Sequence, residues 1–171
     1  MKFCMITTFF PPYNFGGDGI FIYRLVNELA KRGHQVDVVH CEDAYLLLQP
    51  KGPQGDFPCH ENVRIHKLKS RFGLLSPLLT QQTGSPGFKS RALADILDTS
   101  HYDVIHFHNM SLIGITALRY GRAVKLYTTH EHWLVCPMHV LWKNNRELCV
   151  DKSCFSCTLA WRRPPQLWRY T

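Results

Sequence analysis

Apolar residues change their spacing twice within the first 41 residues of the chain. The run KFCMITTFF, residues 2–10, is continuously apolar or β-branched, which is typical of a strand covered on both faces of a parallel sheet. Apolar residues at positions 22, 25, 26, 29 and 30 then form one helical stripe, and Gly33 follows as a stop. HQVDVVHC, residues 34–41, predicts a second strand. The pattern therefore indicates a strand, helix, strand unit with a right-handed crossover.

The same alternation continues after a loop rich in glycine and proline at residues 48–62. Strands are predicted at residues 63–69, 103–109 and 123–130, and helices at 88–100 and 111–121. LLSPLLTQQTGSPG, residues 74–87, predicts a loop or a short helical insertion. Strands that alternate with helices predict an α/β fold, a doubly wound and Rossmann-like sheet that is mostly parallel.

Three polar or glycine-rich stretches directly follow predicted strands. They are PPYNFGGDG at residues 11–19, FHNMS at 107–111 and THEHWLVCP at 129–137. In open parallel sheets, ligands bind outside the carboxyl ends of the strands, where loops and helix N-termini meet. We therefore expect these three stretches to form one binding site.

A glycine pair, Gly16 and Gly17, precedes the first predicted helix. The unpaired N–H groups and the positive dipole end of a helix favour an anion, and a missing Cβ lets the backbone come close to a phosphate. Two common motifs are absent, because no Gly-Lys-Ser/Thr sequence is present and Ile22 stands where a G-x-G-x-x-G motif starting at Gly17 needs glycine. The pair alone fits either a phosphate site or a simple turn.

The net charge limits the classes of partner without selecting one, and the cysteine content indicates the compartment. A net charge of +7 and a pI near 9.1 favour nucleic acid, an anionic membrane surface or a phosphorylated substrate. No apolar run approaches the roughly 20 residues of a membrane span, and the N-terminus lacks the features of a signal peptide. Seven cysteines, an odd number, fit a reducing compartment, so we expect a cytoplasmic protein.

Four cysteines crowd near the C-terminus with the spacing C-x12-C-x4-C-x2-C: Cys136, Cys149, Cys154 and Cys157. Four thiolates that include a CxxC pair suit a tetrahedral structural zinc ion. The stretch WKNNRELCVDKSC is polar, so a metal would supply stability that its core cannot. An oxidised pair and inert thiols are the alternative interpretations. Cys4 and Cys41 lie on predicted strands and are expected in the core.

Taken together, FFPPYNFGGDGIFIYRLVNELAKRGHQVDVV, DVIHFHN and TTHEHWLVCP resemble the N-terminal domain of family 4 glycosyltransferases, which have the two-domain GT-B fold. The resemblance covers nearly the whole chain. It implies that residues 1–171 form one acceptor-side domain with a cysteine-rich insertion at 136–157. It also implies that a C-terminal donor-binding domain, with the glutamate pair E-x7-E of the family, is absent here.

The resemblance further implies a reaction. A retaining transfer would move a sugar from a nucleotide-sugar donor to a glycan or lipid-linked acceptor, with the leaving diphosphate accepting the proton of the acceptor hydroxyl. Gly16 and Gly17 would approach the donor diphosphate, and His130 would contact the donor sugar near the reacting carbon as the catalytic residue. The isolated chain would transfer no sugar, because most donor contacts belong to the other domain.

Cleft positions on the acceptor side are expected at His108, Asn109 and Glu131. Period-two alternation places His106 and His108 on one sheet face, and we expect His108 to face the cleft and His106 to be buried. Glu131 stands where relatives often carry aspartate. It could orient His132, bind an acceptor hydroxyl or be solvated.

A zinc-stabilised nucleic-acid-binding module is the alternative function, compatible with the charge and the cysteines. It is disfavoured because the aromatic and arginine residues form no known reading motif. The C-terminal tail WRRPPQLWRYT, residues 161–171, has a composition suited to peripheral contact with a membrane or to a phosphate-rich ligand. We interpret it as an exposed surface between domains.

Overall fold

A five-stranded, all-parallel sheet forms the centre of the computed structural model, which describes residues 1–170 and leaves Thr171 outside the described residues. Its strands are β1 (Lys2–Thr7), β2 (Gln35–Cys41), β3 (Val63–Leu68), β4 (Val104–Phe107) and β5 (Val124–Tyr127). They lie in the order β3-β2-β1-β4-β5. The strand order therefore reverses between β1 and β4, which makes the gap beyond their carboxyl ends the switch point of the sheet.

The remaining elements within residues 1–170 are five α-helices, a small antiparallel hairpin and three short 3₁₀ turns. The helices are α1 (Gly17–Lys31), α2 (Glu42–Leu48), α3 (Leu75–Thr83), α4 (Ser90–Thr99) and α5 (Cys154–Ala160). The hairpin pairs β6 (Trp142–Lys143) with β7 (Glu147–Leu148), and the 3₁₀ turns are Gly87–Lys89, Ile115–Arg119 and Leu167–Arg169. None of the helices within residues 1–170 has the length and apolarity to cross a membrane.

Helices cover both faces of the central strand β1, because its successive residues face two different apolar clusters. The edge strand β5 is less covered, and its Val124 and Leu126 are exposed. Cys4 and Ile6 of β1 pack in one cluster with Leu93 of α4, whereas Met5 packs in the other with Ile22 of α1. Period-two alternation in the strands and helical spacing in α1 and α4 produce this arrangement. The predicted α/β fold with a parallel, Rossmann-like sheet is confirmed, and Cys4 and Cys41 are fully buried as expected.

The first helix ends where its sequence predicts. Gly33 adopts φ = 83°, a left-handed conformation that glycine accepts without strain, and its N–H donates to the carbonyl of Ala30. Four side chains or glycines on one face of α1 are buried: Gly19, Ile22, Val26 and Ala30. This face fixes the helix over β1 and directs the N-terminus of α1 toward the switch point.

One predicted helix does not form. Residues 111–121 contain only the 3₁₀ turn Ile115–Arg119. Gly114 has φ = 101°, and a Cβ at this position would lie 2.7 Å from the carbonyl carbon of Ser85. The backbone of residues 84–85 thus approaches Gly114 too closely for a helix with side chains to continue through it.

A short helix that the sequence pattern did not predict, α2, directly follows β2. Its first two side chains are buried carboxylates that accept hydrogen bonds from the segment after β3. Lys69 Nζ donates to Glu42 Oε1 at 2.7 Å, and the N–H of Ser70 donates to Asp43 Oδ2 at 2.8 Å. Ala44 of α2 joins the core cluster, but buried carboxylates form the first turn, so α2 has no apolar stripe that hydrophobic spacing could reveal.

Part of the C-terminal tail lies against the domain, so its interpretation as an exposed surface is wrong for Gln166, which is buried, and for Trp168 and Arg169, which are half-buried. The guanidinium of Arg169 donates hydrogen bonds to the carbonyls of Trp133 and Leu134, the latter at 3.1 Å. It also lies 4.4 Å from the ring centre of Trp168, which packs against the core cluster. Cation–π stacking and charged hydrogen bonds therefore fix the tail onto the loop after β5.

Candidate functional site

Gly16 and Gly17 lie at the exposed N-terminus of α1. Gly16 is the N-cap with an extended backbone, φ = −147°, and α1 begins at Gly17. A Cβ added at Gly17 would meet no atom within 4 Å, and one at Gly16 would make only an ordinary 3.5 Å contact with Asp18. Neither position has a left-handed φ. Within residues 1–170, neither backbone conformation nor packing therefore requires glycine at these two positions.

The third glycine of GGDG has a structural role that the sequence did not reveal. A Cβ on Gly19 would lie 2.1 Å from Asn14 Oδ1 and 3.2 Å from the carbonyl oxygen of Phe9. The loop after β1 therefore folds directly over the first turn of α1. Asn14 also donates from Nδ2 to the carbonyl of Gly16 at 2.7 Å, which closes the loop.

Asp18 connects the loop after β1 to the loop after β4. Its Oδ1 accepts the N–H of Gly19 at 2.8 Å, and its Oδ2 accepts a hydrogen bond from Asn109 Nδ2 at 3.2 Å. Asn109 Oδ1 in turn accepts hydrogen bonds from the N–H and the hydroxyl of Ser111. The structure thus places Asn109 beside the glycine loop. Asp18 is a site residue that sequence reasoning missed, although the acidic first turn of α1 was a signal.

Three histidines form a row across the carboxyl ends of β4 and β5. The rings of His106 and His108 lie 4.0 Å apart between centres, and His108 Nδ1 lies 3.0 Å from His130 Nε2. His106 Nε2 shares a hydrogen bond of 2.7 Å with Thr128 Oγ1. The edge of Phe21, from α1, packs 5.3 Å from the ring of His130. The strand register thus brings His108 and His130 into direct contact.

Burial keeps two members of this row, His106 and His108, from becoming protonated easily. Desolvation, reinforced by the charges of His106 and His130, lowers the pKa of His108 to about 3, so its imidazole is neutral near pH 7. Desolvation also lowers the pKa of His106. The expected order of burial is wrong: His108 is only 1% exposed, whereas His106 is half-buried. His130 is exposed, which leaves it as the accessible end of the row.

Glu131 belongs to a closed loop rather than to a solvated strand end. Its Oε2 lies 2.6 Å from Nδ1 of His139, and the N–H of His132 donates to the carbonyl of His139 at 3.0 Å. Its other oxygen, Oε1, is buried without a partner in the described part of the chain. Glu131 therefore pairs with His139 and not with the side chain of His132. His139, with φ = 73°, was missed because no sequence pattern marks a left-handed histidine.

A cavity of about 440 Å³ lies beside this loop. Asn109, Glu131, His139 and Arg163 contribute polar groups to it, and leucines from α2 and α3 line its opposite side. His108 and His130 do not contribute to this lining, so the structure separates the histidine pair from the cavity while placing both at the same sheet edge. Arg163 comes from the C-terminal tail and was not predicted for the site.

The four C-terminal cysteines also come together. Cys136, Cys149, Cys154 and Cys157 all line a second cavity, of about 210 Å³. All seven cysteines are free thiols, and over residues 1–170 no three His, Cys, Asp or Glu side chains are already arranged to hold a metal ion. The predicted grouping of the cysteines thus occurs, while the zinc ion stays a prediction.

The similarity of this chain to known proteins covers most of the fold and of the site described above. The family described as Glycosyltransferase Family 4 matches residues 15–164. Over 162 residues the chain is 23% identical to an "uncharacterized 42.6 kDa protein in cps region" of Klebsiella pneumoniae, with 91% of this chain and 43% of that relative covered. The chain thus spans less than half the length of this relative. Because the family model matches most of the chain, a range that includes the glycine pair and the histidine row, the chain belongs to glycosyltransferase family 4.

Proposed function

We propose that the chain forms the acceptor-side half of a retaining glycosyltransferase, which moves a sugar from a nucleotide-sugar donor to a glycan or lipid-linked acceptor. One observation carries the proposal. The exposed N-terminus of α1 and the exposed His130, whose ring is hydrogen-bonded to His108, lie at the same carboxyl edge of the sheet, beside its switch point. Family membership supports sugar transfer as the class of reaction.

The glycine pair is the proposed contact for the donor diphosphate. Gly16 and Gly17 have no internal need to be glycine, and both are exposed at the start of a 15-residue helix. Residues without Cβ atoms let the N–H groups and the dipole of α1 come close to an anion. Among the described residues, the Asp18 carboxylate accepts hydrogen bonds from the N–H of Gly19 and from Asn109, and the N–H of Gly17 is the group that a phosphate would bind.

His130 is the proposed contact for the donor sugar. His108 is buried and neutral, and it holds Nε2 of His130 at 3.0 Å. The other ring nitrogen of His130, Nδ1, can then bind a sugar hydroxyl. Phe21 packs its ring edge against His130 and restrains the imidazole further. Such support fixes the ring in place, which favours a positioning contact over removal of a proton.

The chemistry that follows needs no side-chain nucleophile. The bond between the anomeric carbon and the diphosphate breaks, and a bond to the acceptor oxygen forms on the same face of the sugar. The leaving diphosphate takes the proton from the acceptor hydroxyl. In this scheme the glycine pair stabilises the negative charge that develops on the phosphate, and His130 keeps the sugar in place.

The cavity of about 440 Å³ is the proposed place for the acceptor. Asn109, Glu131 and Arg163 line it and are polar residues of the kind that bind sugar hydroxyls. Leu48 and Leu78 line the same cavity and are 59% and 42% exposed. This mixed lining would suit a sugar with an apolar carrier, which supports a glycan or a lipid-linked acceptor.

A second domain is part of the proposal. The chain covers 43% of the length of its relative from Klebsiella pneumoniae, and GT-B enzymes bind most of the nucleotide on the other domain. We therefore expect no sugar transfer by residues 1–171 alone. Robust transfer from any nucleotide sugar by this chain would contradict the division of labour.

The donor-side test replaces Gly17 by valine in the full-length enzyme. A branched Cβ blocks the backbone from the diphosphate, so transfer should fall tenfold or more, equivalent to about 1.4 kcal/mol of transition-state stabilisation. The domain should stay folded because a Cβ at Gly17 meets no protein atom within 4 Å. Gly17→Ala is the milder comparison. Unchanged transfer per folded molecule in Gly17→Val would show that the pair serves only as a turn.

The matched test on the histidine compares His130→Ala with His101→Ala. His101 is also exposed but precedes β4, at the amino end of the sheet. We expect His130→Ala to lower kcat and His101→Ala to leave it unchanged, with equal thermal stability in both variants. Equal kcat in the two variants would contradict a role for His130.

A further inference from the structure

The four C-terminal cysteines come from separate pieces of chain that fold around one small space. Cys136 lies in the loop after β5, Cys149 follows the hairpin, and Cys154 and Cys157 lie on one side of α5. All four line the cavity of about 210 Å³. Cys136 and Cys157 are buried, and the other two are half-buried. Since 17 residues separate the first thiol from the third in sequence, their shared position is a product of the fold.

Very little apolar burial holds this segment. Its only buried cluster among the described residues consists of Cys136, Met138 and Cys157, with Leu141 and Trp161 packed beside it. Nearby apolar side chains stay in solvent: Val150 is 80% exposed and Leu148 is 66% exposed. A segment that buries so few side chains is expected to need another source of stability, as small metal-binding domains do.

The surroundings of the thiols suit a bound cation with anionic ligands. The N–H of Asn144, in the turn of the β6–β7 hairpin, donates to Sγ of Cys157 at 3.2 Å. Hydrogen bonds from outside the coordination sphere orient metal ligands and stabilise their charge. Lys143 and Lys152 also line the cavity, so two basic residues share it with the four cysteines.

We propose that Cys136, Cys149, Cys154 and Cys157 bind one Zn²⁺ as a tetrahedral tetrathiolate site. Four thiols would bind the ion and release four protons, which leaves a site with a net charge of −2 that the two lysines offset. Over residues 1–170 no three ligands are already placed for a metal. Binding therefore draws the sulfur atoms inward into the cavity that they line.

The proposed zinc site also supports one wall of the acceptor cavity, a consequence that depends on the proposed function. Pro137 lines both cavities, and it directly follows Cys136. Thr158, next to Cys157, lines the acceptor cavity as well. A metal that fixes Cys136 and Cys157 would thus fix Pro137 and Thr158. The zinc serves structure and takes no part in sugar transfer.

Metal analysis of the purified, freshly reduced chain tests the site without any activity assay. We expect close to one zinc per chain, and Co²⁺ in its place should give the charge-transfer bands of tetrahedral cobalt–thiolate coordination. Cys154→Ser/Cys157→Ser should lose the metal. Cys59→Ser is the matched control, because Cys59 is a half-buried free thiol outside the cluster.

A conservative variant covers the case in which the double variant fails to fold. Cys154→His should keep the metal, because imidazole is a good zinc ligand, and should shift the cobalt spectrum. Failure of reduced wild-type protein to retain or take up zinc would overturn the proposal, and so would iron in place of zinc. If zinc binds but its removal leaves transfer unchanged in the full-length enzyme, only the link to the acceptor cavity fails.

Discussion

The parallel sheet and the cysteine segment, residues 136–157, are stabilised by different means. In the sheet, strands β1, β2 and β4 are almost wholly buried between two apolar clusters. In the cysteine segment, a single cluster of three residues is buried, and β6 and β7 are only two residues long. Hydrophobic burial is sufficient for the first region. The second depends on individual polar groups, turns and, in our proposal, on a metal ion.

Truncation of one phenylalanine in each region should give the largest difference. Phe107 on β4 is fully buried, whereas Phe155 on α5 is 53% exposed. Phe107→Ala should lower the free energy of unfolding by about 3–5 kcal/mol because it leaves a cavity in the core. Phe155→Ala should change it by less than about 0.5 kcal/mol. Urea denaturation of the two variants measures both values, and similar losses would contradict the comparison.

Acid should weaken the sheet through histidines that are buried in neutral form. Desolvation is the main cause that lowers the pKa of His40 to about 4 and that of His108 to about 3, from 6.5. Between these lowered pKa values and 6.5, the unfolded chain binds more protons than the folded chain. The free energy of unfolding is therefore highest above about pH 6.5 and falls as the pH decreases. We expect a loss of about 3 kcal/mol between about pH 6.5 and pH 5.

Urea midpoints over this pH range test the acid effect. His40→Phe is the diagnostic variant, because the His40 ring packs between Phe10 and Tyr13, whose neighbourhood accepts an aromatic ring. It should remove about half of the pH dependence. A midpoint in the wild-type chain that does not change between these pH values would show that the two histidines are not held neutral.

The glycines of GGDG should differ in their effect on stability. Gly19→Ala should cost about 1–2 kcal/mol, because its Cβ would overlap Asn14 Oδ1 at 2.1 Å and press against the Phe9 carbonyl. Gly17→Ala should stay within about 0.5 kcal/mol of the wild type, since its Cβ meets no protein atom within 4 Å. Thermal denaturation of both variants checks this. Equal losses would mean that Gly17 is also a packing glycine.

Sequence patterns predicted the parts of the molecule in which burial determines structure. The five strands and helices α1 and α4 follow apolar spacing, and all were located within a few residues of their observed bounds. Two failures have a common cause: α2 is fixed by buried carboxylates and residues 111–121 by a close approach at Gly114. Neither tertiary hydrogen bonds nor backbone approach leaves a periodic signal.

The candidate site was predicted less completely than the fold. The strand-end rule placed Gly17, Asn109 and His130 at one sheet edge, because parallel strands bring their carboxyl ends together. Asp18 was missed because its partner Asn109 is distant in sequence, and His139 was missed because its pairing with Glu131 depends on how their shared loop folds. The relative burial of His106 and His108 was reversed, because it depends on what packs over β4.

The smallest expected effect concerns Arg169, which connects the cysteine-rich end of the chain to the sheet. Its guanidinium donates to the carbonyls of Trp133 and Leu134 and stacks on Trp168. Lysine keeps the charge but loses the planar stacking and the paired donors, so Arg169→Lys should cost about 1 kcal/mol or less in global stability. Its main effect should be local: faster amide exchange in residues 167–170 and a change in tryptophan fluorescence, with β1 unaffected.

Arg162→Lys, at an exposed residue of the same tail, is the matched control and should leave both measurements unchanged. If Arg169→Lys also leaves them unchanged, the tail is held without this guanidinium, by contacts such as the packing of Trp168 and the hydrogen bond from Gln166 to the carbonyl of Pro137.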